Sequence, residues 1–134
     1  MANTVDENLK KFLQDDAAIA REVGMRIHEN YAPEAGAAPY IWFRMSGTDY
    51  ERTLGDAPTN SPFRYRFDIE IWARSIRHAR TIGTLVANRL DSYTGSFGDS
   101  TVKGIFVEQQ PDDYEPIAGA VGLHFATQSV EVIP

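Results

Sequence analysis

Residues 63–74 read FRYRFDIEIWAR, and they alternate between apolar and charged side chains. Successive side chains of a β-strand point to opposite faces of its sheet, so this alternation predicts a long strand with one apolar face. The apolar parity comprises Phe63, Tyr65, Phe67, Ile69, Ile71 and Ala73. Trp72 is the exception, because it places a large ring on the otherwise charged face. The stretch holds no catalytic motif.

A helical pattern follows this strand directly. Ser75 can cap a helix that runs to about Leu90, because serine oxygens accept hydrogen bonds from the free N–H groups of a first turn. Gly83 belongs to the apolar stripe of this helix and costs helix stability by roughly 1 kcal/mol against alanine, which indicates close packing on a sheet. Four arginines are expected on the outside of the helix: Arg74, Arg77, Arg80 and Arg89.

Two shorter helices are predicted at the start of the chain. The first has Val5, Leu9, Phe12 and Leu13 at helical spacing, with Asn3 or Thr4 as its cap. Asp15 or Asp16 starts the second, and the segment at residues 24–27 leaves it as a short extended piece.

Three further strands are predicted. Residues 40–46 alternate, with Ile41, Phe43 and Met45 on one face. Residues 102–109 are apolar on both faces, which favours a position inside the sheet. Val121 to Val132 forms the last strand, led by Val121, Leu123 and Phe125.

Three segments between these elements are predicted as irregular. Residues 47–62 form an unusually long connection between two alternating strands that pair as an antiparallel hairpin, so they either work at an interface or are disordered. Residues 94–100 are expected to form a turn, and residues 111–116 a proline-bounded loop. The whole pattern predicts one α+β domain over residues 1–134, with a mainly antiparallel four- to five-stranded sheet and the long and N-terminal helices packed on it.

Composition narrows the classes of function. The formal net charge is −6, which argues against a free-standing nucleic-acid binder. The chain has no cysteine, which excludes disulfides and thiolate catalysis. Neither a membrane-spanning segment nor a signal peptide is expected, because no apolar run is long enough and the first residues are polar.

The residues that could carry chemistry do not form a convincing site. His28, His78 and His124 lie in three different predicted elements, so a shared metal site is not expected. The acidic group Asp112, Asp113 and Glu115 could bind a cation, but a solvated turn is the simpler interpretation. An enzyme that used these carboxylates with His124 remains an alternative. Nucleophile-elbow and phosphate-binding glycine motifs are absent from the sequence.

The polar parity of the predicted sheet carries large aromatic residues. Tyr40, Trp42 and Trp72 lie on the face opposite the predicted core, and aromatic residues are enriched at protein interfaces. Either the N-terminal helix covers this face or a neighbouring copy of the chain does. Arg64, Arg66 and Arg74 beside Trp72 could also stack RNA bases. Asp68 and Glu70 interrupt that basic stripe, however, and favour a charge-paired face or one packed on a neighbouring subunit.

The order of these features resembles the tail completion proteins of long-tailed bacteriophages and prophages, a group similar in layout to tail terminators and head-to-tail joining proteins. The matching segments are LKKFLQDDAAIAREVGMRIHEN, APYIWFRM, YRFDIEIWARSIRHARTIGTLVANRLDSYTG, VEQQPDDYEP and GLHFATQSVEV. The most specific parts are the strand that ends in IWAR with a helix directly after it, and the Tyr-Glu-Pro loop before the last strand. The match covers nearly the whole chain.

The resemblance implies a tail-terminator-like fold and a structural virion protein without catalytic residues or cofactors. Such proteins form rings, commonly of six subunits, at the head-proximal end of the tail tube. The implied partners are copies of the chain itself, the tail tube protein and the head connector or stopper proteins, with DNA only as passing cargo and no membrane. The implied location is the virion, after synthesis in the cytoplasm of the host bacterium.

The resemblance carries over no functional residues, so the predicted subunit interface is taken from aromatic and charged residues on the second sheet face and in the two variable loops. These are Tyr40, Trp42, Tyr50, Glu51, Arg52, Arg64, Arg66, Trp72, Asp112, Asp113, Tyr114 and Glu115.

Overall fold

A computed structural model of the chain describes residues 4–30, 38–50, 62–109, 113–117 and 120–134. Three helices and eight strands lie in this part of the chain. They are, in order, α1 (Val5–Gln14), α2 (Ala17–Val23), β1 (Ile27–Glu29), β2 (Tyr40–Tyr50), β3 (Pro62–Ala73), α3 (Ile76–Leu90), β4 (Gly95–Phe97), β5 (Ser100–Val102), β6 (Gly104–Gln109), β7 (Asp113–Ile117) and β8 (Ala120–Ile133).

The main sheet has the strand order β1-β2-β3-β8-β6, and β7 pairs with the first part of β8. The pairs β2–β3, β3–β8, β6–β8 and β7–β8 are antiparallel, whereas β1 runs parallel to β2. The sheet is therefore mixed, and the predicted α+β class is confirmed. The strands β4 and β5 form a separate two-stranded hairpin.

One face of the sheet, here called the inner face, forms the core with the helices. Phe43 of β2, Phe67 of β3 and Val132 of β8 belong to a single hydrophobic cluster that includes Leu9 of α1 and Ile82 of α3. The rings of Phe43 and Phe67 meet edge to face, with centroids 5.9 Å apart. The prediction that the odd-numbered residues of β3 face the core is confirmed from Phe67 to Ala73.

All three helices begin with the expected kind of capping side chain. Thr4 accepts a hydrogen bond from Glu7 N, Asp16 accepts from the N–H groups of α2, and Ser75 accepts from His78 N. The helices α1 and α3 bury their apolar stripes in the same cluster, so both pack on the inner face. The N-terminal helix therefore does not cover the opposite face, which decides one of the alternatives left open by the sequence.

The close approach predicted at Gly83 is confirmed. A Cβ atom placed there would lie 3.3 Å from Nε2 of Gln128 in β8. That amide nitrogen donates a 2.7 Å hydrogen bond to the Gly83 carbonyl oxygen. A glycine in α3 thus lets a buried glutamine of the sheet bond directly to the helix backbone.

The structure corrects several element assignments. β6 is an edge strand and not an internal one. Residues 113–117 form β7 where a loop was predicted, and the predicted turn at residues 94–100 contains β4. The strands β2 and β3 extend to Tyr50 and from Pro62, so only the middle of the predicted long connection, residues 51–61, lies outside the described residues.

The side of β8 that carries Phe125 faces away from the core. Ala126, Val130 and Val132 point into the core, whereas Phe125 lies on the opposite face.

One arginine of α3 also differs from the prediction. The guanidinium of Arg89 lies 3.9 Å from the ring centroid of Phe12, half-buried between α1 and α3, while Arg74, Arg77 and Arg80 are exposed as expected.

Candidate assembly interface

The face of the sheet away from the helices, here called the outer face, carries a row of aromatic rings. The register places Tyr40 of β2, Trp72 of β3 and Phe125 of β8 directly opposite one another across three strands. Tyr40 and Trp72 are nearly parallel, with centroids 6.1 Å apart, and Trp72 and Phe125 are stacked at 4.3 Å. Neighbouring strands thus hold three rings in a continuous stack, which stabilises the sheet through cross-strand aromatic contacts.

Glu70 lies beside this aromatic row. Its Oε1 atom accepts a 3.2 Å hydrogen bond from the indole nitrogen of Trp72. Burial raises the pKa of Glu70, and the Trp72 hydrogen bond and the charge of Arg44 oppose that shift. Burial and the nearby Glu70 charge also raise the pKa of Tyr40. Tyr40 is 3% exposed, and Trp72 and Phe125 are partly buried, although none of the described helices packs on this face.

The next strand positions carry His28 and Trp42. His28 of β1 lies opposite Trp42 of β2 in the register, and Trp42 lies opposite Glu70. The rings of His28 and Tyr40 approach edge to face, with centroids 6.4 Å apart. Burial, followed by the charge of Lys10, lowers the pKa of His28. His28 therefore lies next to the aromatic residues that were predicted for this face.

The remainder of the outer face is charge-paired, as predicted. Nε of Arg64 lies 2.8 Å from Oδ2 of Asp49, and Nη2 of Arg66 lies 3.4 Å from Oδ1 of the same residue. Nη1 of Arg64 lies 3.6 Å from Glu131 of β8. The hydrogen bond from Arg64 to Asp49 raises the pKa of the guanidinium. Because these arginines are already engaged by carboxylates, they do not form the basic stripe that base stacking on RNA requires.

An exposed aromatic residue lies at the far edge of the same face. Phe106 of β6 is 55% exposed and pairs in register with Glu131. The backbone edge of β6 that faces away from β8 already forms hydrogen bonds. Ser92 N donates to Ile105 O at 2.8 Å, and Val107 N donates to Oδ1 of Asp91 at 3.0 Å. Such coverage hinders strand-to-strand pairing at this edge. Contacts made here therefore depend on side chains.

The structure brings together five of the predicted interface residues. Tyr40 and Trp72 are stacked, Trp42 lies on the same face two residues along β2, and Arg64 and Arg66 form the charge-paired region of that face. Glu51, Arg52 and Asp112 lie outside the described residues. Only the backbone is described for the rest, with Tyr50 at the end of β2 and Asp113, Tyr114 and Glu115 in β7. Their role at an interface stays a prediction.

The histidines do not converge. His78 was expected to be solvated, but its Nε2 atom lies 2.8 Å from Oε2 of Glu22, which links α3 to α2. His124 is placed opposite Ala73 in β3, and in the backbone register it faces Tyr114 of β7. Within the described ranges, no three histidine, aspartate or glutamate side chains lie close enough together to hold a metal ion.

Sequence reasoning missed Phe125 and Phe106 as outer-face residues. Phe125 was assigned to the leading apolar side of the last strand, and Phe106 was interpreted as evidence of an internal strand. The available signal was that Val130 and Val132 have the opposite parity from Phe125. A strand with apolar residues on both parities can contact a second surface as well as its own core.

The model of the family described as tail completion protein gp17 matches residues 7–132. The chain belongs to this family. It is therefore a structural tail protein of a phage-type particle, and the resemblance inferred from the sequence and the expected association with the virion are confirmed.

Solved structures share the fold of this tail completion protein. A chain from the virion of a native gene transfer agent particle has a TM-score of 0.58 and 15% identity, covering 94% of this chain and 92% of that one. A second solved protein, whose name states no function, has a TM-score of 0.55 and 14% identity, with 94% and 91% coverage. At these identities the likeness establishes the fold alone. No curated protein matches the chain.

None of the helices described for this tail completion protein has the length and apolar character needed to cross a bilayer.

Proposed function

We propose that this chain forms a closed ring of identical subunits at the head-proximal end of a phage-type tail, where the ring ends growth of the tail tube and joins it to the head connector. The observation that carries this proposal is the outer face of the sheet. Trp72 and Phe125 are stacked and partly exposed on the side away from the described helices, and Tyr40, which is only 3% exposed, completes the stack. A surface of this kind fits a protein that works by contact with other chains.

The family and the fold support a position in a particle. Tail completion is the family's described role, and one solved chain of similar fold comes from a gene transfer agent virion. The family match spans residues 7–132, which supports the proposal that residues 1–134 form one domain. The proposal contains no chemical step. The net charge of −6 suits a ring through which DNA passes, since like charges disfavour adhesion to phosphates.

The proposal is tested by removing the chain from a system that assembles tails and heads. Without the chain, electron microscopy should show tails that lack heads and vary in length, and purified chain added back should restore head joining. A Trp42→Ala variant should restore joining less well than Lys11→Ala, which changes an exposed residue of α1. Tails of normal length that join heads in the absence of the chain would contradict the proposal.

A further inference from the structure

We infer that Phe106 and Glu108 of one copy dock into a groove on helix α3 of the next copy. This inference rests on the proposed ring and specifies which surfaces of neighbouring subunits meet. The two surfaces are here called the β6 patch, formed by Phe106 and Glu108, and the α3 groove, lined by Ile76, Arg77, Arg80, Thr81 and Thr84.

The α3 groove is basic with an apolar residue in its lining. It is a shallow depression of about 390 Å³ on the first half of the helix. The sequence of α3, IRHARTIGTLVANRL, contains three arginines and no carboxylate. The hydroxyls of Thr81 and Thr84 donate to carbonyl oxygens of the helix itself. Arg77 therefore presents its guanidinium group beside an isoleucine, a combination that suits an aromatic ring accompanied by an acid.

The β6 patch has the complementary composition. Phe106 is 55% exposed, and Glu108 follows two residues later on the same face of the strand and is also exposed. Neither Glu108 nor Arg77 forms an ion pair in the part of the chain that the structure describes. An arginine stacks favourably on an aromatic face, and the fold already contains one such pair where Arg89 covers Phe12 at 3.9 Å.

The two surfaces cannot meet within one chain. The helices pack on the inner face of the sheet, while Phe106 lies on the outer face, opposite Glu131. In the strand register Glu131 lies opposite Arg66 of β3, whereas α3 starts only after Ala73, which lies about 23 Å farther along that strand at ~3.3 Å per residue. A contact between unlike surfaces of two copies is heterologous, and its repetition builds either a ring or a filament.

Side chains must carry this contact because the strand edge is blocked. The hydrogen bonds from Ser92 and to Asp91 occupy the free edge of β6 at Ile105 and Val107. A neighbour therefore cannot extend the sheet along those residues, but it can cover the ring of Phe106. This feature favours a helix surface of the next copy over an added strand.

Directed cross-linking tests the geometry, since the chain has no cysteine of its own. A chain carrying both Thr81→Cys and Glu108→Cys should form a ladder of covalent oligomers on oxidation, because each copy then links to two neighbours. Mixing the two single variants should give covalent dimers and no ladder. Lys11→Cys with Glu108→Cys is the matched control and should give no ladder, since Lys11 lies on the exposed face of α1.

Exchange of the charges and removal of the Phe106 side chain provide a second measurement, which does not depend on the geometry of the thiols. Arg77→Glu and Glu108→Arg should each weaken self-association about three- to fivefold in sedimentation equilibrium, and the double exchange should restore it. Phe106→Ala should weaken self-association about tenfold or more. Lys103→Glu makes the same change in net charge as Arg77→Glu at an exposed position outside both surfaces and should have no effect.

The outcomes separate this inference from the proposed function. If the wild type forms rings and the Phe106 and Arg77 variants assemble equally well, the inferred docking surfaces are wrong. The proposal of a ring is not affected by that result. The same holds if Arg77→Glu blocks particle assembly but not self-association, because the groove then serves another partner. A wild-type chain that stays monomeric at every concentration, with or without isolated tails, would overturn both.

Discussion

The two faces of the main sheet differ in what covers them. On the inner face, Phe67, Ile69 and Ile71 of β3 are fully buried by helices of the same chain. On the outer face, Asp68, Glu70 and Trp72 alternate with them but contact mainly residues of neighbouring strands. A single strand therefore serves both a closed core and a surface with aromatic and charged groups.

This difference indicates which interactions fold the chain and which are available for assembly. Burial of apolar side chains on the inner face is expected to supply most of the folding free energy, since hydrophobic stabilisation follows the apolar area removed from water. The outer face contributes stacked rings and exposed ion pairs, and exposed ion pairs add little to stability. Substitutions on the two faces should consequently affect different measurements.

The largest expected effect is on the inner face. Phe67→Ala should lower the free energy of unfolding by about 3–5 kcal/mol, because a fully buried ring is replaced by a cavity beside Phe43. Phe106→Ala is the matched control on the outer face of the same sheet and should change stability by no more than about 0.5 kcal/mol. Urea unfolding followed by circular dichroism gives both values. Equal losses for the two variants would break the contrast between the faces.

The sequence predicted the inner face of β2 and β3 well because local alternation determines it. The alternation from Phe67 to Ile71 can be recognised without knowledge of the neighbouring strands, and the capping side chains of Asp16 and Ser75 are equally local signals. The family resemblance added the general role of the protein, which no single residue indicates.

The sequence did not reveal which side of the last strand meets the core, because the core side includes a polar residue. Gln128 is 1% exposed and donates to the carbonyl oxygen of Gly83, so its burial depends on a contact 45 residues away in sequence. Phe125, in contrast, finds its apolar environment in the stack with Trp72. Parity alone could not distinguish these two cases, and a shift of one residue exchanges the faces of a strand.

The order of strands was also beyond the reach of local patterns. Apolar residues on both parities of residues 102–109 suggested an internal strand, but β6 lies at the edge with Phe106 exposed. The edge position depends on which strand pairs with β8, a non-local choice. The loop after α3 then covers the free edge through Asp91 and Ser92, which takes the place of a further strand.

A smaller effect on stability is expected from the aromatic row. Trp72→Ala should lower the free energy of unfolding by roughly 1–3 kcal/mol, because it removes the ring that stacks between Tyr40 and Phe125. Trp72→Phe should cost less than about 1.5 kcal/mol, since it keeps an aromatic ring and loses the hydrogen bond to Glu70. Urea unfolding gives both values. A loss for Trp72→Ala that exceeds that of Phe67→Ala would show that the outer face is a second core rather than a surface.

The smallest expected effect concerns the charge of Glu70. Burial raises the pKa of this carboxyl above its ordinary value of 4.5, so the folded state holds the proton more tightly than the unfolded state does. The stability gained from protonation is fully present below the unfolded pKa and is lost as the pH rises through the folded pKa. Glu70→Gln does not titrate, and its amide oxygen can still accept from Trp72. We therefore expect the variant to match the wild type near pH 4 and to exceed its stability at pH 7, by less than about 1 kcal/mol.

Urea unfolding midpoints of both proteins between pH 4 and pH 8 measure this difference, with Glu108→Gln as a control for the change in net charge at an exposed position. A glutamine variant that is less stable than the wild type at pH 7 would mean that Arg44 and the Trp72 hydrogen bond outweigh the cost of burial. In that case the outer face would be stabilised by its ionised form within the single chain. The expected result instead makes Glu70 a carboxylate retained at some cost to the isolated subunit, as a group that serves assembly would be.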